Sequence, residues 1–431
     1  MFHFVTNWLH FYKWINAAIL GFKKGKCKTM ILFLTHKRLF SDIGGIESMG
    51  KRLLLGMKAS GIPVVLFSKD SMPKIIFVRE KNNNQGAPAR LLTKEIAFSL
   101  YAIKEIIVSL LFIFPLLYAI KMSRKHGFTS IVLAFDSFSG LPALISSKIT
   151  NSPLVVQTHG LYPRFIDVFT KNQIVVRTLL AIEKAVIREA TLVLSVNRET
   201  ISYYERFYRS KMRYRLIPTP LDTKTFAPNS KLRKYVRKEL GIGAKSYVIG
   251  FVGRLSYEKN VELLIRAFKK ALEASLIPAD SLLLIVGDGL LKKQLIELSS
   301  NLSIKDKVIF TGFRRDIHRV MNVMDVLVLP SQAEGLPCVV LEAISCAVPV
   351  ILSDLLCHKE FLGAAKCGFT FKAGSIKDLV RCLSIISNNN LRKELGMNGR
   401  IYVESNHEIT YVVKEYYKAI IEATKIKYHS R

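Results

Sequence analysis

At 431 residues and 48.8 kDa the chain is long enough for two ordinary domains, each with its own core. Half of its residues are hydrophobic, which excludes disorder over most of the length. Lys and Arg (64) outnumber Asp and Glu (33), and the resulting net charge of +31 asks for an anionic partner: nucleic acid, an acidic membrane surface or a phosphorylated substrate.

The charge is uneven. Residues 1–215 carry 32 basic and 12 acidic side chains and the remainder 32 and 21, so the first half faces the anionic partner more strongly. The six cysteines (Cys27, Cys338, Cys346, Cys357, Cys367, Cys382) show no paired metal-ligand spacing. Most sit in apolar surroundings, the pattern of reduced structural thiols in a cytosolic protein.

Residues 1–29 do not read as a clean secretory signal: His10 and Lys13 break the apolar stretches, and no small-residue cleavage site follows. An aromatic-rich run ahead of Lys23, Lys24, Lys26 and Lys28 suits an interfacial helix with a basic flank; a loosely packed leader is the alternative. From residue 30 short β-branched runs alternate with helical stretches. MILFLT (30–35) reads as a strand, followed by a loop through Gly44–Gly45 and a helix to about Ser60; PVVLF is the next strand. Ile106 to Ile120 is an apolar run of 15 residues, short of the roughly 20 a membrane span needs. It is expected to form a buried or membrane-touching helix bent near Pro115. SIVLAF, LVVQT and TLVLSV follow as strands, and the alternation predicts a parallel sheet wrapped on both faces over 30–215.

Two prolines in RLIPTPLDTKTFAP interrupt the rhythm, which places a linker at 216–228. It restarts with YVIGFVG, LLLIVG, VIFTG, DVLVLP and VPVILS, a second α/β domain over 229–400. Residues 401–431 return to helical spacing and are expected to cross back to the first domain.

Parallel sheets take ligands at the carboxyl ends of their strands. Four loops there are chemically equipped. In SQAEGLPCVVLEAISCAVPV (331–350), Glu334 lies in the loop and Glu342 in the following helix, with Pro337 suited to that helix's first position. Such carboxylates suit sugar or ribose hydroxyls, while the helix amides suit a diphosphate. In FVGRLSYEKN (251–260), Gly253 turns the chain ahead of Arg254 and Lys259, two cations for two phosphates. Gly44–Gly45 lets backbone amides approach a ligand, and His159 follows the strand LVVQT directly.

Together these residues resemble glycosyltransferase family 4, of GT-B architecture, from about residue 30 to 420. The resemblance rests on GRLSYEKN, LLIVGDG, the two glutamates seven residues apart and LEAISCAVPVI, more loosely on GGIE, THG and IPTPLDTKTF. It implies two Rossmann-like domains facing across a cleft, and transfer of a sugar from a nucleotide-diphosphate donor with retention of anomeric configuration and no metal or other cofactor. Arg254 and Lys259 would hold the diphosphate, Glu342 the ribose, Glu334 the transferred sugar or the departing phosphate region. Gly45 would approach the diphosphate, His159 the sugar near the reacting carbon, and Gly312–Phe313 would lie near the base. His159, Arg254, Lys259 and Glu334 are the expected catalytic set. Gly44, Gly253, Gly335 and Leu336 complete the expected donor-binding set.

Three departures stand out: Ala347 where glycine is usual, LLCH (355–358) in place of a glycine pair, and Thr219–Pro220 in place of Asn-Gly, which is expected to stiffen the hinge. The acceptor, a glycan or lipid-linked sugar, is expected on the basic first domain. The chain is then placed on the cytoplasmic face of the cell membrane as a peripheral enzyme of polysaccharide, lipopolysaccharide or glycolipid assembly. A nucleotide-sugar epimerase of the same fold and a catalytically silent binding protein are the alternatives. Nucleic acid is not expected as a partner, because no finger, RNP-like or helix-turn-helix pattern is present.

Overall fold

The computed structural model describes residues 29–35, 45–68, 109–159, 172–208, 212–335 and 337–429, with Ala17, Ile19 and Ile107. Gly44, Leu336 and nearly all of the 1–29 leader lie outside the described residues. The chain divides into two units, with boundaries at Pro218 and Tyr411; residues from Val412 onward belong with the first unit.

The first unit contains β1 (Thr29–Leu34), α1 (Gly45–Ala59), β2 (Val64–Phe67), α2 (Ile113–Lys125), β3 (Thr129–Ala134), α3 (Ser137–Thr150), β4 (Leu154–Thr158), α4 (Gln173–Glu189), β5 (Leu192–Ser195), α5 (Arg198–Tyr208) and β6 (Tyr214–Leu216). Its six strands run in the order β2-β1-β3-β4-β5-β6 with every neighbouring pair parallel. Consecutive residues of β1, β3, β4 and β5 are buried, so both faces of the sheet are covered, which is why these strands read as unbroken apolar runs.

The 106–120 run is not one helix. Pro115 has no N–H to offer the carbonyl four residues back and its ring crowds that position, so the chain turns at Leu111–Phe112. Helix α2 starts afresh at Ile113, with Pro115 harmless in its first turn. No helix among the described residues is long and apolar enough to cross a membrane.

The second unit runs through α6 (Ser230–Glu239), β7 (Val248–Val252), α7 (Val261–Glu273), β8 (Leu282–Val286), α8 (Lys292–Asn301), β9 (Val308–Gly312), α9 (Ile317–Met321), β10 (Val326–Leu329), α10 (Cys338–Ser345), β11 (Val350–Ser353), α11 (Leu356–Ala365), β12 (Gly368–Phe371), α12 (Ile376–Ile386) and α13 (Asn389–Asn406). The sheet order is β12-β11-β10-β7-β8-β9, again all parallel. Each unit has its own apolar core.

The expected linker is packed rather than open. Leu221 and Phe226 are buried in the second core, Leu221 bridges to Glu408, and the Arg400 guanidinium donates to the carbonyls of Thr223 and Phe226. Thr219 accepts a 3.0 Å bond from the buried His407 ring. Helix α14 (Ile409–His429) then carries the chain into the first unit, where the fully buried Tyr416 donates to Gln157 Oε1 at 2.5 Å.

Candidate active site

Strand order locates the chemistry. In the second sheet the chain reverses direction of travel between β7 and β10, and in the first between β1 and β3. Crevices at such switch points, outside the carboxyl ends of the strands, are where open α/β sheets bind ligands. The loops leaving β7 and β10 hold Gly253, Arg254 and Lys259 on one side and Glu334 and Gly335 on the other, with Glu342 in the helix that follows.

The β7 loop is stapled in place by its neighbour. Gly253 N–H donates to Val286 O at 3.0 Å, Leu255 N–H to Asp288 O at 2.9 Å and Leu291 N–H to Leu255 O at 3.1 Å. The approach is so close that a Cβ on Gly287 would stand 1.9 Å from Gly253 O, and φ of Gly287 is +138°; only glycine fits. Arg254 is therefore held by its backbone while its side chain is exposed and makes no hydrogen bond or ion pair among the described residues. A guanidinium can donate to two oxygens of one anionic group at once.

Lys259 closes a short 3-10 turn, Tyr257–Lys259, behind Asn260 in the left-handed region at φ +48°. The β7 and β10 loops are joined by Gln332 N–H donating to Glu258 O at 2.8 Å. Across that junction the Lys259 ammonium pairs with Glu334 Oε1. Ser331 Oγ donates to the same oxygen at 2.9 Å, and Ser353 Oγ fixes the Ser331 carbonyl at 2.6 Å. Ser331 escaped the sequence reading, although its place directly after Pro330, three residues before Glu334, was the available signal.

Pro337 is the N-cap of α10 rather than its first helical residue: with ψ at 133° it stands just outside, and Cys338 opens the helix. Glu342 lies one turn in, with 8% exposure. Gly312 has φ +71° and accepts from Gly287 N–H at 2.9 Å, which puts the Gly312–Phe313 turn beside the 287–289 turn; the Phe313 ring is 44% exposed.

Of the departures, Ala347 has φ +57°, so the methyl group sits in the strained left-handed region. In the segment replacing the glycine pair, Leu356 opens α11, and the buried Cys357 Sγ lies 3.6 Å from the carbonyl oxygens of both Glu334 and Gly335. Side-chain volume there supports the Glu334 loop from beneath.

In the first unit, Gly45 is the first residue of α1. His159 follows β4 and its Nε2 lies 2.6 Å from Phe135 O. A carbonyl only accepts, so Nε2 carries the proton and Nδ1 is left as an acceptor. Burial lowers the His159 pKa against the opposing pull of that bond, Asp136 and Glu47, so the ring is neutral at pH 7. The Phe135 ring meets it edge-on at 4.6 Å. Asp136 caps α3 by accepting from Ser139 N–H at 2.8 Å and takes the Thr35 hydroxyl at 2.5 Å, tying the ends of β1 and β3 together. Asp136 and Thr35 were not among the expected residues; the Asp-x-x-Ser cap after a strand was the legible sign of the first.

Comparison with known proteins bears on the family and the fold. The sequence model of Glycosyltransferase Family 4 matches residues 43–225 and that of Glycosyl transferases group 1 residues 233–402. An Escherichia coli UDP-Gal:alpha-D-GlcNAc-diphosphoundecaprenol alpha-1,3-galactosyltransferase is 29% identical over 65% of this chain and 72% of that protein. Other curated relatives are matched over about half their length: the Putative glycosyltransferase EpsF of Bacillus subtilis is 30% identical over 43% of this chain and 48% of its own, and Sulfoquinovosyl transferase SQD2 of Arabidopsis thaliana 27% over 60% and 50%. Among solved structures, Thermosynechococcus elongatus sucrose-phosphate synthase superposes with a TM-score of 0.71 at 20% identity, covering 92% of this chain and 100% of that one. Anabaena Alr3699/HepE in complex with UDP and glucose gives 0.67 at 18%, covering 91% and 100%.

Two Rossmann-like units, each built on an all-parallel sheet, give the chain the GT-B fold, and the sequence matches make it a glycosyltransferase. The two family models together account for most of the chain, which belongs to glycosyltransferase family 4.

Proposed function

We propose that the chain transfers a hexose from a nucleotide-diphosphate sugar to a glycan or lipid-linked acceptor in cell-surface glycan assembly, with retention of configuration and no metal. The observation that carries the reading is the pairing at the second switch point of an unpaired guanidinium, Arg254, with the Lys259–Glu334–Ser331 cluster. Two cations offset the charge that gathers on a departing nucleoside diphosphate. An ammonium has three donors, so Lys259 can keep Glu334 while donating to a phosphate oxygen. Glu334, held by Lys259 and Ser331, retains lone pairs for sugar hydroxyls, and neutral His159 offers Nδ1 as a hydroxyl acceptor.

Support for the donor class comes from HepE, solved with UDP and glucose, and from the E. coli relative, whose name specifies UDP-Gal and a diphosphoundecaprenol acceptor. A lipid-linked acceptor accords with the basic first half of the chain and with peripheral residence on the cytoplasmic face of the cell membrane.

Thermal shift across UDP-, GDP- and ADP-sugars tests the donor reading, since a ligand at 100 times its Kd stabilises by about 2.7 kcal/mol. A shift with one donor, lost in Arg254→Ala, is the expected result. Sugar release that yields an epimerised product with no acceptor requirement would replace transfer with epimerisation.

A further inference from the structure

Helix α2 has two unlike faces. Pro115, Leu116, Ala119, Ile120 and Ser123 are buried, where α2 packs on β1, β3 and α3. At about 100° per residue the opposite face carries Phe114, Lys121 and Lys125; Tyr118 between them is partly buried against the core, and Arg124 at the margin donates to Thr150 O and Ser152 Oγ. Phe114 is 73% exposed, and Ile107 and Leu111, just ahead of the helix, are 59% and 37% exposed. Lys121 and Lys125 are exposed and form no ion pair among the described residues. Residues 106–135 contain no Asp or Glu at all.

The outward face is thus apolar at its start and cationic at its finish. The two ends are seven residues apart, about 10 Å along the axis.

We propose that the outward face of α2 is the surface by which this chain docks on a bilayer rich in anionic lipid. Ile107, Leu111 and Phe114 enter the acyl boundary, and Lys121 and Lys125 meet the lipid phosphates. A second copy of the chain is a poorer occupant, because a two-fold contact through this face brings like charges together. An apolar partner helix leaves the cations unanswered. The inference deepens the peripheral-membrane reading above and rests on it: that reading holds that the chain meets a bilayer, and this one names where.

The test is flotation of the full chain with phosphatidylcholine vesicles, with and without phosphatidylglycerol. Three forms are compared: wild type, Leu111→Ser with Phe114→Ser, and Lys121→Gln with Lys125→Gln. All four substituted side chains are exposed, and an unchanged melting midpoint verifies the fold. The expected result is wild-type binding to the anionic vesicles, with an about 30-fold weaker partition in the lysine variant and loss of the salt-resistant fraction in the apolar variant. In Phe114→Trp the indole emission shifts to the blue on anionic vesicles only. Both double variants binding like wild type would overturn the assignment to α2 and leave the membrane reading standing on another segment, such as the leader. Wild type binding neither vesicle would overturn both. Altered self-association in the variants with unchanged flotation would make the face a protein interface and overturn the proposal.

Discussion

Lys259 and Glu334 belong to loops that leave different strands, β7 and β10, yet they form one ion pair at the switch point of the second sheet, with Ser331 on the same carboxylate oxygen. If the pair grips the donor, Lys259→Ala costs about 1.5–3 kcal/mol of transition-state stabilisation, roughly 10- to 150-fold in kcat/KM for the donor. Arg254→Lys does not restore full activity after loss of Arg254, because a point charge cannot grip two phosphate oxygens. Steady-state kinetics at saturating acceptor measures both, and near-wild-type turnover in Lys259→Ala removes that residue from the site.

Charge offset by two side chains predicts indifference to chelators. Turnover in EDTA equals turnover in added Mg²⁺ if Arg254 and Lys259 neutralise the departing diphosphate. A rate that collapses in EDTA and returns with a divalent cation assigns that task to a metal.

His407 gives a pH signature that belongs to stability. Burial pushes its pKa down to about 4, against the pull of its bond to Thr219. The folded pKa lies below the unfolded one, so the unfolded chain binds the proton more readily. The stabilising share is complete above about pH 6.5 and is lost as pH falls toward 4. Between pH 7.5 and 5 this residue alone removes about 2 kcal/mol. Urea unfolding of the second unit at the two pH values, with His407→Gln as control, checks it: the difference shrinks in the variant.

Ala347 ends α10 in the left-handed region: its N–H donates to Ile344 O and the next N–H to Ala343 O, with Pro349 two residues on. A methyl group there costs about 1–2 kcal/mol, partly offset by the extra freedom glycine has in the unfolded chain, about 0.4–1 kcal/mol. Ala347→Gly therefore raises stability by about 0.5–1 kcal/mol. Gly396→Ala does the opposite, since its Cβ would stand 2.2 Å from Ala347 O. Denaturant titration of both variants reads the signs directly.

The central strands were legible because burial on both faces leaves an unbroken apolar run, as in β1, β4 and β10. The strands missed, β6 and β12, are three- and four-residue edges, one of them carrying Arg215 and exposed, and neither has that signature. Arg254, Lys259 and Glu334 were legible as charges placed just beyond strand ends. The Lys259–Glu334 pair was not, because it depends on a backbone bond between loops 74 residues apart, Gln332 to Glu258. The break ahead of Pro115 follows from proline chemistry, but the same residue reads equally as a kink until the chain around Leu111 is seen.

The bond from Tyr416 to Gln157 bears on how the molecule is made. The first unit draws its sheet from residues translated early and Tyr416, Ala419, Ile420 and Ala423, all buried, from residues translated after the whole second unit. Domains ordinarily mature in the order they leave the ribosome. Here the unit begun first is completed last, and a nascent chain halted at Tyr411 carries a finished second unit beside an unfinished first one. Gln157 lies on the strand that delivers His159, so the end of β4 that carries His159 gains its Tyr416 contact only once that late helix has been built.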